Sequence, residues 1–242
     1  MMSSKPEISV VLPVYNQADH IEKIVRGYLA VFESLRHPTE FILVVNGNRD
    51  GSLEHCRRLE KDAPGVIAIH NEKPGWGLAV RTGLNAAKGQ ILCYTNSART
   101  SPHILAMHIM LATANPGWVI KANRKLRHPF VRKFGSVLYN LQCRYLFDLP
   151  AWDVNGTPKV FSREQFAKLG LEEDGDLVDV EFIVKCRDNG FRILEAPIVS
   201  PIRHGNASTT NYGSAVKMYW GAFRLWRRLN HGPDGRSARD GE

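Results

Sequence analysis

Three short stretches of this sequence combine residue types that could do chemistry. Asp179-Val-Glu181 places two carboxylates two residues apart, and either could act as a general base. Thr95-Asn-Ser97 presents hydroxyl groups just before Arg99, whose guanidinium is always charged and can bind a phosphate through two N–H groups. Gly75-Trp-Gly77 precedes a helical pattern, where backbone N–H groups could hold a phosphate oxygen.

The same stretches also have purely structural explanations. Carboxylates such as Asp179 and Glu181 are equally typical of a helix N-terminus, where the helix dipole favours negative charge. Glycines permit tight turns whether or not a ligand is present. Trp76 could stack on a ring or pack in the core, and the hydroxyls of Thr95-Asn-Ser97 could bond to nearby backbone.

Isolated charged residues leave similar alternatives open. Arg99 could bind phosphate or be a solvated surface residue. Asp153 could hold substrate hydroxyls or form an ion pair with Lys159. Asp50 is predicted to cap a helix that begins near Ser52, which is a structural role.

A basic group lies at the start of a long amphipathic pattern that runs from Arg132 to Phe147. Its members are Arg124, Arg127, Arg132 and Ser136. Arg132 and Ser136 are four residues apart and therefore share one helical face, which could bind a phosphate. Any one of these residues could equally be a plain surface charge.

Alternating strand and helix patterns in the first half must position these residues. Short apolar runs predict four buried strands at Ile8–Leu12, 41–45, 66–69 and 91–94, the first ended by Pro13. Helical patterns lie between them, and Gly89 is predicted to end the third helix as a left-handed cap. Strand–helix alternation of this kind predicts a mostly parallel, doubly wound sheet, with the ligand at the carboxyl ends of the strands.

The second half is less regular. Strands are predicted at 118–121, 160–161 and 192–194, and helices at 132–147, about 179–189 and 215–229. The segment 200–213 has a loop-like composition, and the tail from 231 to 242 is predicted to be disordered. We expect one domain over residues 1–230, made of two halves at about 7–115 and about 116–230.

Composition narrows the class of protein. The chain has 242 residues, a formal net charge of +8 and 43% hydrophobic residues, which excludes a disordered, collagen-like or fibrous protein. No apolar run approaches the ~20 residues of a membrane span, and we expect no secretory leader. The four scattered cysteines predict buried reduced thiols in a cytosolic protein. The positive charge favours an anionic partner: a phosphorylated substrate, an anionic lipid surface or nucleic acid.

Several motifs, taken in order, resemble a known family. Those of the first half are Ser9-Val-Val-Leu-Pro-Val-Tyr-Asn16, Asn46-Gly-Asn-Arg-Asp-Gly-Ser52, Gly75-Trp-Gly-Leu-Ala-Val-Arg-Thr-Gly83 and Ala86-Ala-Lys-Gly89. They resemble the family 2 glycosyltransferases, which have the GT-A fold, a Rossmann-like, mainly parallel sheet flanked by helices. Those of the second half are Asp153-Val-Asn-Gly-Thr-Pro-Lys-Val-Phe161, Asp179-Val-Glu-Phe182, Gly190-Phe-Arg-Ile-Leu-Glu-Ala-Pro197 and Arg203-His-Gly-Asn-Ala-Ser208. They are similar to the dolichyl-phosphate (polyprenyl-phosphate) mannosyltransferase branch.

The resemblance implies a nucleotide-binding half at about 7–115, an acceptor half at about 116–230 and roles for particular residues. Residues expected to bind the nucleotide sugar are Pro13, Tyr15, Asn16, Asn46, Gly75, Trp76, Arg81, Thr95, Ser97 and Arg99. Residues expected to bind the acceptor are Arg124, Arg132, Ser136, Arg203 and Ser208. Asp179, Glu181 and Asp153 are the candidate catalytic carboxylates. In this scheme the amide of Asn46 pairs with the base, although Asn-Gly is also typical of a simple turn.

The sequence departs from the family at its metal site. Val45 and Asn46 stand where the family usually has two acidic residues, and Thr95-Asn-Ser97 replaces the Asp-x-Asp motif. Mg²⁺ or Mn²⁺ prefers carboxylate and phosphate oxygens, for which hydroxyls and amides are weak substitutes. Three alternatives follow: catalysis with Arg and Lys in place of metal, recruitment of Asp153 or Asp179 as a ligand, or loss of transferase activity. We favour the first because basic residues are numerous near the expected site, namely Arg49, Lys73, Arg81 and Arg99.

The resemblance therefore implies an inverting hexosyltransferase that uses a GDP- or UDP-linked sugar. The expected acceptor is a polyprenyl phosphate, and the expected location is cytoplasmic, peripheral at the inner face of the membrane. The last helix mixes aromatic and basic residues, which suits a membrane interface or a core-packing helix with a solvated basic face. One rival is a nucleotide-sugar-binding homologue without turnover. A second is a nucleic-acid-binding protein, against which stands the lack of a basic stripe with interleaved aromatics.

Overall fold

A single seven-stranded sheet organises the protein. The computed structural model describes residues 6–35, 37–47, 49–126, 130–199 and 212–231. The strands are β1 (Ile8–Val14), β2 (Thr39–Asn46), β3 (Val66–Asn71), β4 (Ile91–Tyr94), β5 (Trp118–Leu126), β6 (Lys159–Ser162) and β7 (Arg192–Val199). The helices are α1 (Ile21–Ser34), α2 (Ser52–Asp62), α3 (Trp76–Ala86), α4 (Pro102–Ala114), α5 (Phe130–Phe147), α6 (Arg163–Leu169), α7 (Val178–Asp188) and α8 (Tyr212–His231).

The strand order brings most strand ends to one edge. The order is β3-β2-β1-β4-β6-β5-β7, and only β6 runs antiparallel to its neighbours. The carboxyl ends of the six other strands and the amino end of β6 therefore meet at the same edge, which we call the carboxyl edge. Tyr94, the last residue of β4, lies opposite Lys159, the first residue of β6.

Helices cover both faces of the sheet, and each face has its own apolar core. On one face α3, α5, α7 and α8 pack around Tyr94, Phe161 and Phe182. On the other, α1, α2 and α4 pack around Tyr28, Phe41 and Leu43. The central strands are buried on both faces, which explains why β1 and β2 read as continuous apolar runs in the sequence.

The predicted sheet is confirmed, with a correction at Pro13. The first four predicted strands coincide with β1 to β4, and Pro13 lies inside β1 instead of ending it. The ladder between β1 and β4 ends at Val11, so Pro13 needs no N–H group for that neighbour.

The predicted left-handed cap at Gly89 is wrong. The third helix ends at Ala86, with Ala87 in an extended conformation, and Gly89 is not among the residues with positive φ. A Cβ atom at Gly89 would lie 2.7 Å from the backbone of Ile8 and Ser9. Close approach to β1, and not backbone conformation, is why glycine fits here.

The predicted elements of the second half occur in the predicted order, and most of them are longer than predicted. The helix predicted at 215–229 is α8 and begins at Tyr212, and His231, placed in the tail by the sequence, is its last residue. Two helices, α4 and α6, were not predicted. The predicted loop at 200–213 is wrong at its end, because Tyr212 and Gly213 belong to α8. Residues 200–211 and the tail from 232 lie outside the described residues.

Two compositional predictions can be compared with the structure. All four cysteines are buried, and none forms a disulfide. Within the described ranges, none of the helices has both the length and the apolar character that a membrane crossing demands.

Candidate active site

Loops that follow β1, β2 and β4 form the base of the carboxyl edge and are tied to one another. The Asn16 side-chain oxygen accepts a hydrogen bond from the N–H of Arg49 at 2.9 Å, with Asn16 at a φ of 49°. Gln17 accepts one from the Ser97 hydroxyl at 2.8 Å and donates its own N–H to the Ser52 hydroxyl. These links fix the loops that the resemblance assigns to the nucleotide.

Asp50 has a structural role, as the sequence indicated, although the N-cap residue of α2 is Gly51. Its carboxylate accepts hydrogen bonds from the N–H groups of Ser52 and Ala18, both at 3.0 Å. It thus joins the start of α2 to the loop after β1. Burial would raise the pKa of Asp50, but the Ser52 hydroxyl and these two N–H groups outweigh it and lower that pKa.

Asn46 is a buried cross-link between two loops. Its amide nitrogen donates to the carbonyl of Val14 at 2.9 Å, and its oxygen accepts from the N–H of Gly75 at 3.0 Å. A carboxylate could not make the first of these bonds, because it has no proton to donate. Both polar atoms of the Asn46 side chain are therefore engaged inside the protein rather than presented to a base.

Thr95 and Ser97 also lie buried, although the sequence placed them against a diphosphate. The Thr95 hydroxyl is bonded to the Thr100 hydroxyl at 2.7 Å, and Ser97 to Gln17. These hydroxyls thus bond within the protein, although to side chains and not to the nearby backbone that the alternative named. Asn96, between them, is partly exposed.

The N-terminus of α3 is covered by residues 172–176, which we call the acidic loop. The N–H groups of Gly77 and Leu78 donate to carbonyls of Gly175 and Asp174 at 3.2 and 2.9 Å. A Cβ atom at Gly77 would lie 2.2 Å from the carbonyl oxygen of Glu173. The glycines of Gly75-Trp-Gly77 therefore admit a loop of the protein, and these N–H groups are not open to a phosphate.

Ion pairs fasten the acidic loop in this position. Arg81 binds the Asp174 carboxylate at 2.5 Å and the carbonyl of Glu172 at 2.6 Å. Arg228, on α8, binds Glu173 at 2.6 Å. Arg81, which the sequence predicted as a nucleotide-sugar ligand, thus holds this loop in place.

Glu181 fastens the same loop from inside. Its carboxylate accepts from the N–H groups of Glu172 and Glu173 at 2.9 to 3.0 Å and pairs with Lys185 at 3.0 Å. The Glu181 side chain is fully buried. Two residues along a helix turn by about 200°, so Glu181 points away from Asp179. The two predicted catalytic carboxylates do not share one site.

Asp179 lies at the carboxyl edge and is surrounded by donors. It forms an ion pair with Lys159 and accepts hydrogen bonds from the Tyr94 hydroxyl at 2.9 Å and the Trp76 indole N–H at 3.2 Å. Lys159 and Tyr94 are fully buried, and Asp179 nearly so. Burial and the neighbouring Asp179 raise the pKa of Tyr94 well above its ordinary value, so its hydroxyl keeps its proton and remains a donor.

A second ion pair lies beside the first. Asp153 binds Arg124 through two side-chain hydrogen bonds of 2.7 Å and accepts the Arg124 backbone N–H at 3.0 Å. The alternative in which Asp153 pairs with Lys159 is wrong, because Lys159 pairs with Asp179. Burial would lower the pKa of Arg124, but Asp153 outweighs it and raises that pKa.

A third ion pair binds the backbone that carries Asp153 of the second pair. The fully buried Lys121 donates to Glu195 at 2.6 Å and to the carbonyl of Asp153 at 2.6 Å. Glu195 also accepts the N–H groups of Trp152 and Asp153, at 2.9 and 3.1 Å. Glu195 and Lys121 thereby fix the backbone that carries Asp153.

The remaining predicted residues are placed as follows. Tyr15 is exposed just after β1, and Arg99 is partly buried after β4. Arg132 and Ser136 lie one turn apart on α5, as expected. Arg127, Arg203 and Ser208 lie outside the described residues.

Sequence reasoning missed Lys159, Lys121 and Glu195 as parts of the site. Lys159 was named only as a partner of Asp153. The one available signal was a lysine directly next to each of two short apolar runs, after Trp118-Val-Ile and before Val160-Phe161, since lysine is rarely buried without a partner.

Among the described residues, the donor set at the carboxyl edge does not fit a hard divalent cation. Asp153 and Asp179 are each paired with a buried cation, and Thr95 and Ser97 bond within the protein. Across the residues that the structure describes, no cluster of three or more His, Cys, Asp or Glu side chains could hold a metal ion.

Comparison with known proteins shows what this arrangement is similar to. Residues 9–97 match the model described as glycosyl transferase family 2. A solved structure of glucosyl-3-phosphoglycerate synthase from Mycobacterium tuberculosis, in complex with Mn²⁺, uridine diphosphate and phosphoglyceric acid, aligns with a TM-score of 0.70. It is 18% identical and covers 93% of this chain and 79% of its own. Residues 9–97 are thus similar to the family 2 glycosyltransferases, and the chain has the GT-A fold.

Curated relatives are similar over part of their length. Glycosyltransferase AglD of Haloferax volcanii is 29% identical over 205 residues, which are 79% of this chain and 32% of the relative. An undecaprenyl-phosphate 4-deoxy-4-formamido-L-arabinose transferase of Pseudomonas fluorescens is 29% identical over 55% of this chain and 40% of the relative. This chain thus matches well under half the length of these relatives.

Proposed function

We propose that this protein is an inverting glycosyltransferase that moves a hexose from a GDP- or UDP-linked sugar to the phosphate of a polyprenyl phosphate. Catalysis uses cationic side chains in place of a divalent ion at the end of β4. The observation that carries the proposal is the Asp179 carboxylate, which accepts three donors from Lys159, Tyr94 and Trp76.

The engaged carboxylates favour a phosphate over an alcohol as acceptor. An alcohol must lose a proton as it attacks, which calls for a base with a free lone pair. The carboxylate oxygens of Asp179 and Asp153 already bind cations and hydrogen-bond donors of the protein itself. A phosphate monoester is already ionised near neutrality and needs positioning instead of deprotonation. The name of the undecaprenyl-phosphate relative agrees with such an acceptor.

The chemical step is a direct displacement at the anomeric carbon. A phosphate oxygen of the acceptor forms the new bond while the bond from that carbon to the diphosphate breaks, which inverts the configuration. The departing diphosphate carries the growing charge. Arg49, Lys73 and Arg99 follow β2, β3 and β4 at the carboxyl edge, where they can offset it.

A transfer assay tests the proposal directly. The protein is incubated with labelled nucleotide sugars in excess chelator, with either polyprenyl phosphate or the matching polyprenol. We expect labelled product from the phosphate alone, at a rate that added Mn²⁺ changes by less than about threefold. Transfer to the polyprenol, or activity that requires metal, would overturn the proposal. Nucleotide-sugar binding without any transfer would support the alternative of a binding protein without turnover.

Arg99 provides a sharper readout of diphosphate binding. Arg99→Ala should weaken nucleoside-diphosphate binding about tenfold and nucleoside binding very little, because the guanidinium addresses phosphate. Arg57→Ala, on α2 away from the edge, is the matched control. Equal losses for the nucleoside and the diphosphate would remove Arg99 from the phosphate site.

A further inference from the structure

Asp176 is a carboxylate that the proposed function does not use. Two other acids of the acidic loop, Glu173 and Asp174, form ion pairs with arginines. In the described part of the chain, no hydrogen bond or ion pair engages the Asp176 side chain, which is exposed. Desolvation by the surrounding protein nevertheless raises the pKa of Asp176, and the Asp179 carboxylate adds to this effect. A side chain that is accessible to solvent and yet surrounded by protein lies in a cleft.

Trp76 is the neighbour of Asp176 across the start of α3. The Gly77 N–H donates to the Gly175 carbonyl at 3.2 Å. Trp76 directly precedes the first of these residues and Asp176 directly follows the second, so both flank the hydrogen bond. The Trp76 indole N–H also binds Asp179, which lies one helical turn after Asp176. The indole and the unpaired carboxylate therefore lie in the same corner of the carboxyl edge.

The Trp76 ring is held in one orientation without being fully covered. Its N–H donates to Asp179 at 3.2 Å, and the ring is edge-on to Tyr94, with ring centres 6.5 Å apart. Part of the side chain packs on the core, and part remains exposed. Because the acidic loop covers the N–H groups at the start of α3, the ring is accessible there and those groups are not. A ring fixed in this way loses little conformational freedom when a ligand packs on it.

We propose that Trp76 and Asp176 determine the class of sugar that the protein accepts, and that they select a neutral hexose over a uronic acid. The exposed part of an indole suits the C–H face of a pyranose, and an unpaired carboxylate accepts hydrogen bonds from sugar hydroxyl groups. The Asp176 carboxylate, with Asp179 close by, repels a sugar that carries a carboxylate of its own. The inference rests on the proposed function, which places the diphosphate at the adjoining end of β4 and leaves the class of hexose undetermined.

Binding of matched nucleotide sugars tests the choice of sugar without any transfer reaction. Calorimetric titration compares UDP, UDP-glucose and UDP-glucuronic acid, and likewise GDP, GDP-mannose and GDP-mannuronic acid, both with Mn²⁺ and in excess chelator. For the nucleotide that binds, the wild type should bind the neutral sugar at least about tenfold more tightly than the acidic one. Asp176→Asn should reduce this ratio to less than about threefold and leave the Kd of the bare nucleotide unchanged. Glu172→Gln is the matched control, because it removes the same charge from an exposed side chain of the same loop and should keep the wild-type ratio.

Variants of Trp76 test the aromatic surface separately. Trp76→Ala should weaken binding of the neutral nucleotide sugar about tenfold relative to the bare nucleotide, whereas Trp76→Phe keeps a ring and should lose less than about threefold. The bare nucleotide is the internal reference, since a smaller folded fraction affects both ligands alike. Trp118→Ala, at the start of β5 and thus at the opposite edge of the sheet, should change neither Kd.

Three results would overturn the inference. They are equal affinities of the wild type for neutral and acidic sugars, equal changes of that ratio in Asp176→Asn and Glu172→Gln, and equal losses of nucleotide and nucleotide sugar in Trp76→Ala. In each case UDP or GDP still binds in chelator if the proposed function is right. Failure of all six ligands to bind would contradict both proposals.

Discussion

Lys159 and Asp179 form a buried ion pair at the carboxyl edge, where β4 ends and β6 begins. Burial lowers the pKa of Lys159, and the Asp179 carboxylate opposes this effect. A cation supplied by the chain therefore lies beside the end of β4, next to the place of the missing Asp-x-Asp motif. The pair occupies a carboxylate that a metal would need, so the proposal leaves the charge of the diphosphate to Arg49, Lys73 and Arg99.

Breaking the pair from one side should be costly. Asp179→Asn leaves a buried ammonium without its counter-charge and should destabilise the fold by about 3–5 kcal/mol. The double variant K159M/D179N should be less destabilised than the sum of the two single variants, by about 0.5–3 kcal/mol. Denaturant unfolding of the four proteins measures this coupling, and additive losses would show that the two groups do not form an energetic pair.

Restoring the missing carboxylates should create a metal-dependent protein. Thr95→Asp with Ser97→Asp places two carboxylates at buried positions without cationic partners, which lowers the melting temperature. Mn²⁺ should restore part of that loss, about 2.7 kcal/mol at a concentration one hundred times its Kd. Calorimetry with and without Mn²⁺ makes the comparison. A melting temperature indifferent to Mn²⁺ would mean that the end of β4 does not face a binding site.

The acidic loop should depend on the absence of a side chain at Gly77. In Gly77→Ala the new Cβ meets the carbonyl of Glu173 at 2.2 Å, and the loop must move, at a cost of about 1–3 kcal/mol. Gly135→Ala is the matched helical control, since nothing lies within 4 Å of its Cβ, and it should gain about 0.5–1 kcal/mol. Equal unfolding free energies for the two variants would argue against the close approach.

Acid should weaken the Lys121–Glu195 pair. Burial would raise the pKa of Glu195, but the Lys121 ammonium and the N–H groups of Trp152 and Asp153 outweigh it and hold that pKa below the ordinary 4.5. The unfolded chain therefore takes up this proton first. The stabilisation is complete above the unfolded pKa and disappears as the pH falls through the folded one.

The corresponding variant separates this effect from general acid unfolding. Glu195→Gln should cost about 3–5 kcal/mol near neutral pH, because Lys121 stays buried without its counter-charge. The difference from wild type should shrink as the pH falls through and below about 4. Denaturant unfolding across that range provides the measurement. A difference that stays constant with pH would contradict the assigned pair.

The strands were predictable from the sequence and much of the site was not. Runs such as Phe41-Ile-Leu-Val-Val45 are buried on both faces, so composition alone marks them. The helix Pro102–Ala114 was missed because its apolar residues are spread around it without a polar face. Lys159 and Asp179 are twenty residues apart, and only the pairing of β6 with β4 and the packing of α7 bring them together. The covering of Gly75-Trp-Gly77 depends on a loop almost one hundred residues later, which no local pattern indicates.

Binding of a nucleoside diphosphate in the absence of divalent cations tests the central claim most directly. Calorimetric titration of GDP and UDP is performed in excess chelator and again with saturating Mn²⁺. If side-chain cations neutralise the diphosphate, the Kd of the bound nucleotide should differ by less than about threefold between the two conditions. A diphosphate that binds only with Mn²⁺, or at least about tenfold more tightly with it, would contradict the account.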